Sequence, residues 1–134
     1  MRQVILPALS EGRTVVCDRY VDSSIAYQGY GRGMGDSVAA INSYAIEGCM
    51  PDLTILLNVD PAAGRKRIGS DGRLLDRLEE EELSFHERVH EGYMALAERF
   101  PERIAVIDGA LSIDEVSEQI AAKLAKVLLT HHDI

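Results

Sequence analysis

The sequence predicts an α/β protein with a parallel sheet, because short apolar runs alternate along the chain with longer helical patterns. The apolar runs are residues 14–17, 53–59 and 104–107. Residues 53–59 are nearly continuously apolar, which favours a central parallel strand that is covered on both faces. Right-handed crossovers through the intervening helices are expected for such a sheet.

Composition limits the classes of protein to consider. The 134 residues fit one domain with one core, so we expect residues 1–134 to form a single domain. The net charge of −8 argues against general nucleic-acid binding, which depends on neutralising phosphates. No apolar run is long enough to span a bilayer and no signal peptide begins the chain, so we expect no membrane partner and a cytoplasmic protein. Cys17 and Cys49 form no disulfide framework, and Cys17 is predicted to be a buried strand residue.

Capping residues mark where helices begin and end. Gly12 predicts the end of a first helix, and Asp36 or Ser37 predicts the start of the next. Asp60-Pro61 places an N-cap and a proline directly after the run at 53–59. The inner face of the helix after Asp36 is predicted to hold Val38, Ile41, Ala45 and Ile46.

Two capping boxes are predicted later in the chain, at Ser84-x-x-Glu87 and Ser112-x-x-Glu115. The first would open a helix that Pro101 stops, and the second would open an amphipathic C-terminal helix. Inward-facing residues of these two helices are predicted to be Phe85, Val89, Tyr93, Leu96, Ala97 and Phe100, then Val116, Ile120, Leu124 and Leu128.

A charged corner follows the first apolar run, in the order C-D-R-Y-V-D-S-S-I-A-Y-Q-G-Y-G-R-G-M-G from Cys17. Ligands of open α/β sheets lie just beyond the carboxyl ends of strands, which is where Asp18 and Arg19 fall. The guanidinium of Arg19 is a planar fork of donors suited to phosphate. Tyr20 and Tyr27 supply flat walls with polar tips. The alternative is that Asp18 and Arg19 form only a structural ion pair.

The polar side chains of Ser23, Ser24 and Gln28 suit the edge of a base or a sugar, although polar residues are also common in ordinary turns. Glycines stand at positions 29, 31, 33 and 35, which is not a G-x-G-x-x-G pattern. Their spacing alone predicts a flexible turn.

Basic residues are concentrated between positions 65 and 77, and Gly69-Ser70-Asp71-Gly72 interrupts that segment. Two interpretations stay open. One is a solvated charged helix held by local ion pairs, and the other is a lid that closes over phosphates. His86 and His90 are four residues apart, but without a third ligand in view we predict exposed histidines and no metal site.

The motif D-R-Y-x-x-S-S-x-A-Y-Q-G-x-G-R-G resembles that of bacterial thymidylate kinases. The similarity continues through P-D-L-T-I-L-L-N-V-D-P and G-R-K-R…D-R-L-E. The resemblance implies a P-loop NTPase-type three-layer α/β/α fold with a five-stranded parallel sheet. It also implies phosphoryl transfer from ATP, with Mg²⁺, to dTMP, which gives dTDP.

The resemblance further implies roles for individual residues. Asp18 and Arg19 would serve the phosphates, Ser24 and Gln28 would bind thymine, and Tyr27 would lie against the sugar and exclude a 2′-hydroxyl. Tyr20 and Ser23 complete the predicted substrate-binding set. A lid at residues 65–80 would carry transition-state arginines and steering carboxylates, namely Arg67, Arg73, Arg77, Asp76 and Glu79.

The sequence departs from the family pattern in one respect, since G-x-x-x-x-G-K-[ST] occurs nowhere in the 134 residues. The match therefore implies the C-terminal two-thirds of a thymidylate kinase, with an incomplete sheet that lacks the P-loop strand and one further strand. Bare strand edges find partners, so we expect a homodimer, a rearranged strand pair or a piece of a larger protein. The alternative functions are a nucleotide-binding remnant without catalysis and an interaction module.

Overall fold

The structure, a computed structural model, describes residues 3–68 and 77–131. Its elements follow one another as α1 (Ile5–Ser10), α2 (Val21–Ser24), a π-helix (Ile25–Gly31), α3 (Ser37–Ala45), β1 (Thr54–Asn58), α4 (Pro61–Ile68), α5 (Arg77–Arg99), β2 (Ile104–Asp108) and α6 (Ile113–His131). No helix within these ranges has the length and apolar character needed to cross a membrane.

The sheet in the described part of the chain consists of β1 and β2, which pair in parallel. Thr54 lies opposite Ile104, and Asn58 lies opposite Asp108. The connection between the strands runs through α4 and α5, as expected for a parallel pair. The predicted α/β class with an incomplete parallel sheet is compatible with this arrangement.

Residues 14–17 do not form the predicted strand. They are irregular, Val16 is 90% exposed and Cys17 is exposed as well. A strand needs a partner for its backbone N–H and C=O groups, and neither β1 nor β2 pairs with this segment. The predictions of a buried strand and of a buried Cys17 were therefore wrong.

Several faces predicted to be buried are partly open to solvent. Leu57 of β1 is 49% exposed, so the described residues do not cover this strand on both faces. Ile41 is 64% exposed and Ala45 is exposed, although Val38 and Ile46 are buried as predicted. On α6, Leu124 and Leu128 are 40% and 41% exposed. The apolar pattern indicated these faces correctly, but no described element packs over them.

The core lies where α5 crosses the start of β2. Leu96 and Ala97 of α5 pack against Ile104, and all three are buried. Ile25, Leu56 and Phe100 complete this cluster from the π-helix, from β1 and from the position directly after α5. Val89 is also buried, so the predicted inner face of α5 is largely confirmed.

One of the two predicted capping boxes forms. The Ser112 N–H donates to Glu115 Oε2 at 3.0 Å, and the Glu115 N–H donates to Ser112 Oγ at 3.3 Å. The Ser112 hydroxyl also donates to Glu115 Oε2 at 2.6 Å, and this bond, together with the one from the Ser112 N–H, lowers the pKa of Glu115 from its ordinary value. The Asp60 cap also forms, because the Ala63 N–H donates to its Oδ1 at 2.9 Å.

The box predicted at Ser84-x-x-Glu87 was wrong, because α5 already begins at Arg77 and passes through this segment. Ser84 Oγ accepts a hydrogen bond from Arg88 Nη1 at 2.7 Å instead. Asp36 is the N-cap of α3 without a side-chain capping bond, and the Ser37 hydroxyl donates to the Met34 carbonyl.

A buried ion pair joins α2 to the sheet. Arg103 Nη1 and Nη2 donate to Asp22 Oδ2 and Oδ1, both at 2.7 Å, and the two side chains are only 12% and 6% exposed. Thr54 Oγ1 donates to Asp22 Oδ2 at 2.8 Å and accepts from Arg103 Nη1 at 3.0 Å. The guanidinium also lies 5.4 Å from the ring centroid of Phe100. These contacts fix α2 relative to the start of both strands.

The π-helix packs closely against α5 through two glycines. A Cβ at Gly31 would lie 2.7 Å from a ring atom of Phe85, and a Cβ at Gly92 would lie 2.7 Å from Cγ of Tyr30. Arg88 Nε donates to the Gly31 carbonyl at 3.1 Å. Both glycines are therefore required for the close approach of the two helices.

We expect Arg103→Leu to lower the free energy of unfolding by about 3–5 kcal/mol, because it leaves the Asp22 carboxylate buried without its charge partner. Urea unfolding measures this. The matched control is Arg13→Leu, since Arg13 pairs with Glu11 on the surface, where both side chains are at least 60% exposed. That control should change stability by less than about 1 kcal/mol.

The double variant Asp22→Asn/Arg103→Leu should be more stable than Arg103→Leu alone, because no unpaired charge remains buried. Equal losses for the Arg103 and Arg13 variants would show that the buried pair does not secure α2.

Candidate functional site: a cleft beside the π-helix

An open cleft of about 490 Å³ lies between the turn that precedes α2, the π-helix and α3. Its lining includes six of the side chains predicted to bind substrate, namely Arg19, Tyr20, Ser23, Ser24, Tyr27 and Gln28. The short helix α2 and the π-helix follow each other without a break, so a single stretch of chain brings these groups to one wall. Asp18 is exposed at the adjoining turn and does not line the cleft.

Arg19 has a left-handed backbone, with φ of 67°. This conformation costs a non-glycine residue about 1 kcal/mol, and such strain is concentrated at functional sites. The side chain is exposed and is oriented by Tyr27. Arg19 Nη2 donates to the Tyr27 hydroxyl at 3.3 Å, and its Cζ lies 4.9 Å from the centre of the Tyr27 ring.

Tyr27 is held in turn by aromatic residues of α5. Its ring meets Phe85 edge-on, with centroids 6.0 Å apart, and meets Tyr93 in the same manner at 6.4 Å. The aromatic wall predicted for Tyr27 is therefore supported from behind by α5.

Ser23 makes its hydrogen bond within the protein. Its Oγ lies 2.7 Å from the Tyr93 hydroxyl. Burial raises the pKa of Tyr93 above the ordinary value of 10.0, although the bond from Ser23 acts in the opposite direction. Ser23 thus lines the cleft but joins α2 to α5, which the sequence did not reveal.

Among the described residues, Gln28 carries a buried side-chain oxygen, Oε1, that has no hydrogen-bond donor. A buried acceptor without a donor costs about 1–3 kcal/mol, and such groups call for a specific explanation. A ligand N–H that meets this oxygen after a small rotation of the side chain would remove that cost.

Tyr20 closes one side of the cleft. Its hydroxyl donates to the Cys49 carbonyl at 3.3 Å. The pKa of Tyr20 is raised above 10.0, first by burial and then by electrostatic repulsion from Cys49 and Cys17. This contact ties the charged corner to the segment that precedes β1.

Two further polar residues, Arg32 and Asn42, line the cleft and were not predicted. Arg32 follows directly after the π-helix, so its place on the cleft depends on that helix. Asn42 lies on α3 and donates from Nδ2 to the Val38 carbonyl at 2.8 Å. Arg32 adds a second cation to the cleft, and the sequence signal for it was its fixed place near the end of the D-R-Y-x-x-S-S-x-A-Y-Q-G-x-G-R-G motif.

The glycine run forms the predicted turn only in its second half. Gly29 and Gly31 are buried within the π-helix, which is a rare element that is frequent at functional sites. Gly33 and Gly35 have φ of 70° and 62°, which residues with a side chain rarely adopt. Close packing against α5 therefore accounts for Gly31, and turn geometry accounts for Gly33 and Gly35.

The predicted lid at residues 65–80 lies partly outside the described residues. Arg67 is on α4, and Arg77 and Glu79 are on α5. Arg73 and Asp76 lie outside the described residues. Whether these five side chains meet the cleft stays a prediction.

A second, mostly apolar cavity of about 540 Å³ lies between β1, α4 and α5. His86, His90, Tyr93 and Asn58 are among its lining residues. His90 is half-buried, and its Nε2 lies 2.7 Å from Asn58 Oδ1. His86 is exposed, as predicted, but His90 is not. Within residues 3–68 and 77–131, no three His, Cys, Asp or Glu side chains are grouped so as to hold a metal ion.

We expect the stability of the protein to fall as the pH rises above about 10, because the folded pKa of Tyr93 lies above its ordinary value of 10.0. The contribution of this group is complete below pH 10 and is lost as the pH passes through the higher folded pKa. Tyr93→Phe should therefore lose stability less steeply in urea unfolding between pH 9 and about 12. Tyr44→Phe is the control, since Tyr44 is 90% exposed. Identical slopes for Tyr93→Phe and the unsubstituted protein would contradict this assignment.

Comparison with known proteins identifies the family. A family model described as thymidylate kinase matches residues 1–120. Thymidylate kinase of Geobacillus thermodenitrificans is 51% identical over 126 residues, which cover 92% of this chain and 56% of that protein. Thymidylate kinase of Clostridium novyi is 49% identical over 118 residues, which cover 87% of this chain and 58% of that protein.

The thymidylate kinase of Anoxybacillus flavithermus is 48% identical over 126 residues, which cover 92% of this chain and 60% of that protein. The chain thus spans between 56% and 60% of the length of these relatives. Since the family model matches all but the last 14 of the 134 residues, the chain belongs to the thymidylate kinase family.

Proposed function

We propose that this chain carries the acceptor-nucleotide site of a thymidylate kinase, which transfers a phosphoryl group from ATP to dTMP and gives dTDP. The single observation that carries the proposal is the cleft beside the π-helix. It brings together a cation, an aromatic wall and an unpartnered amide oxygen. A deoxynucleoside monophosphate presents the matching chemistry, namely an anion, a sugar and a base with polar edges.

Arg19 is assigned to the phosphate. It is exposed at the cleft, and its contact with the Tyr27 hydroxyl is long at 3.3 Å, so its donors are not saturated by the protein. A planar guanidinium binds phosphate through two parallel hydrogen bonds. Asp18, at the neighbouring turn, is assigned with Arg19 to the acceptor and transferred phosphates, a role that the family resemblance implies.

Gln28 and Ser24 are assigned to the pyrimidine, with Tyr20 and Ser23 as walls of the same cleft. The buried Oε1 of Gln28 is suited to the ring N–H of thymine, because that donor would satisfy it. Tyr27 would lie against the deoxyribose. Its ring is fixed by Phe85 and Tyr93, so a sugar with a 2′-hydroxyl would meet a wall that cannot move aside easily.

We propose that residues 65–80 form a lid within a single domain of residues 1–134. Arg67, Arg73 and Arg77 would stabilise the negative charge of the transferred phosphoryl group, while Asp76 and Glu79 would steer the lid. Phosphoryl transfer depends mostly on positioning and on charge stabilisation. Family membership supports this assignment.

The proposed fold is the P-loop NTPase-type three-layer α/β/α sheet, of which β1 and β2 are two strands. Magnesium would accompany ATP and neutralise its phosphates. The described residues offer no group of His, Cys, Asp or Glu for a metal ion, so no step here is assigned through it.

A nucleotide-binding remnant without catalysis is the second candidate. The 134 residues contain no G-x-x-x-x-G-K-[ST] motif to hold the phosphates of ATP, so turnover by these residues alone would need that motif from elsewhere. Both candidates require the cleft to bind dTMP, and they differ only in turnover.

A homodimer is also proposed, because large apolar side chains are exposed on two helices. Tyr44 of α3 is 90% exposed and Leu129 of α6 is 68% exposed. A second copy that packs on these faces would remove them from water. Size-exclusion chromatography with light scattering should give about twice the 14.7 kDa of one chain, and a monomer mass at all concentrations would contradict the dimer.

We expect dTMP to raise the melting temperature of the 134-residue chain in a concentration-dependent manner. Arg19→Ala should weaken dTMP binding by at least about tenfold, because it removes the charge-assisted bonds to phosphate. The matched control is Arg13→Ala, which removes an exposed arginine outside the cleft. Isothermal titration calorimetry with dTMP, dUMP and dCMP gives the affinities.

Absence of binding for all three nucleotides would contradict the proposed function. Equal losses for the Arg19 and Arg13 variants would contradict the phosphate assignment alone. A coupled ADP-release assay separates the two candidates, since dTMP-dependent turnover by this chain would exclude the remnant.

A further inference from the structure

We propose that Tyr93 of α5 is a positioning residue for nucleotide binding, an inference that rests on the proposed function. Tyr93 does not line the cleft itself but lines the cavity on the other side of the wall. It holds two groups that do line the cleft, Ser23 and Tyr27, and through Tyr27 it sets the orientation of Arg19.

The first contact engages Ser23. The oxygen atoms of the Tyr93 and Ser23 side chains are 2.7 Å apart, in a partly buried setting. A serine hydroxyl that is committed to this bond is a fixed part of the wall. We therefore assign the base contacts to Ser24 and Gln28 and not to Ser23.

The second contact fixes Tyr27. The Tyr93 and Tyr27 rings are nearly perpendicular, at 82°, and their centroids are 6.4 Å apart. Arg19 then lies over the Tyr27 ring at 4.9 Å. An exposed arginine otherwise samples many rotamers, and the entropy of ordering it opposes ligand binding. The contacts from Tyr93 to Tyr27 and from Tyr27 to Arg19 order the arginine before the ligand arrives, and they thereby reduce the entropic cost of binding.

The position of Tyr93 is itself determined by close helix packing. Gly92, the preceding residue, lies against Tyr30, where a Cβ would come within 2.7 Å of Cγ. Arg88 lies one helical turn before Gly92, and its Nε donates a hydrogen bond to the Gly31 carbonyl at 3.1 Å. These two contacts fix the position at which α5 packs along the π-helix, and therefore also fix the position of the Tyr93 ring.

The test compares Tyr93→Phe with Tyr93→Leu, each alone and combined with Arg19→Ala, by calorimetric titration with dTMP. The phenylalanine variant keeps the edge-on ring and loses only the hydroxyl, so we expect its affinity to fall by less than about threefold. The leucine variant loses the ring, and we expect its affinity to fall by about tenfold or more. Leu96→Val is the control, because Leu96 is buried in the core away from the cleft.

The combination with Arg19→Ala separates positioning from a general loss of stability. If Tyr93 acts through Arg19, then Arg19→Ala costs much less affinity in the Tyr93→Leu background than in the unsubstituted or Tyr93→Phe background. An equal cost of Arg19→Ala in all three backgrounds, or equal affinities of Tyr93→Leu and Leu96→Val, would overturn the proposal.

A measurement without ligand distinguishes this failure from failure of the proposed function. The NMR signal of the Arg19 Nε–H should carry a ring-current shift from Tyr27, which Tyr93→Phe retains and Tyr93→Leu loses. If dTMP does not bind but the signal responds in this way, the proposed function fails and the positioning of Arg19 stands. If dTMP binds and the signal is the same in all variants, the positioning role fails alone.

Discussion

The buried pair between Asp22 and Arg103 is the interaction on which the rest of the described structure depends. It connects the short helix α2 to Thr54, the first residue of β1, and to Arg103, which directly precedes β2. The two partners are 81 positions apart in the chain, so the pair closes a long loop and places α2 directly beside the sheet. The bidentate geometry, with Thr54 as a third member, meets the condition under which a buried charge pair is tolerated.

The placement of α2 in turn decides the shape of the cleft. The π-helix continues from α2 and turns Gly31 toward α5, where a Cβ would come within 2.7 Å of the Phe85 ring. The aromatic residues of α5 then support Tyr27 from behind, and Tyr27 orients Arg19. A ligand that enters the cleft thus meets side chains whose positions were set by contacts from three separate parts of the chain.

Much of the local structure could be predicted from the sequence, because its causes are local. The cap at Asp60, the box at Ser112 and the strands at 53–59 and 104–107 follow from residue types at fixed spacings. The exposure of Val16 could not be predicted in this way, since a β-branched run becomes a strand only where a neighbour pairs with it.

The six cleft residues were predicted from one contiguous motif, and the structure does bring them to one wall. What the sequence could not reveal were the contacts between distant segments. The bond of Ser23 to Tyr93, the packing of Gly92 on Tyr30 and the half-burial of His90 beside Asn58 each join residues that are more than 30 positions apart. Arg32 and Asn42 line the cleft only because the end of the π-helix and α3 lie close to the turn that precedes α2.

The left-handed backbone of Arg19 carries a consequence for anyone who engineers this protein. Glycine at that position would relax the chain and delete the guanidinium in the same step. A selection for heat resistance alone would therefore enrich variants that fold better but lack the group proposed to bind phosphate. Screens for stable variants of this protein should therefore also select for ligand binding, so that the strained backbone at Arg19 is retained together with its guanidinium.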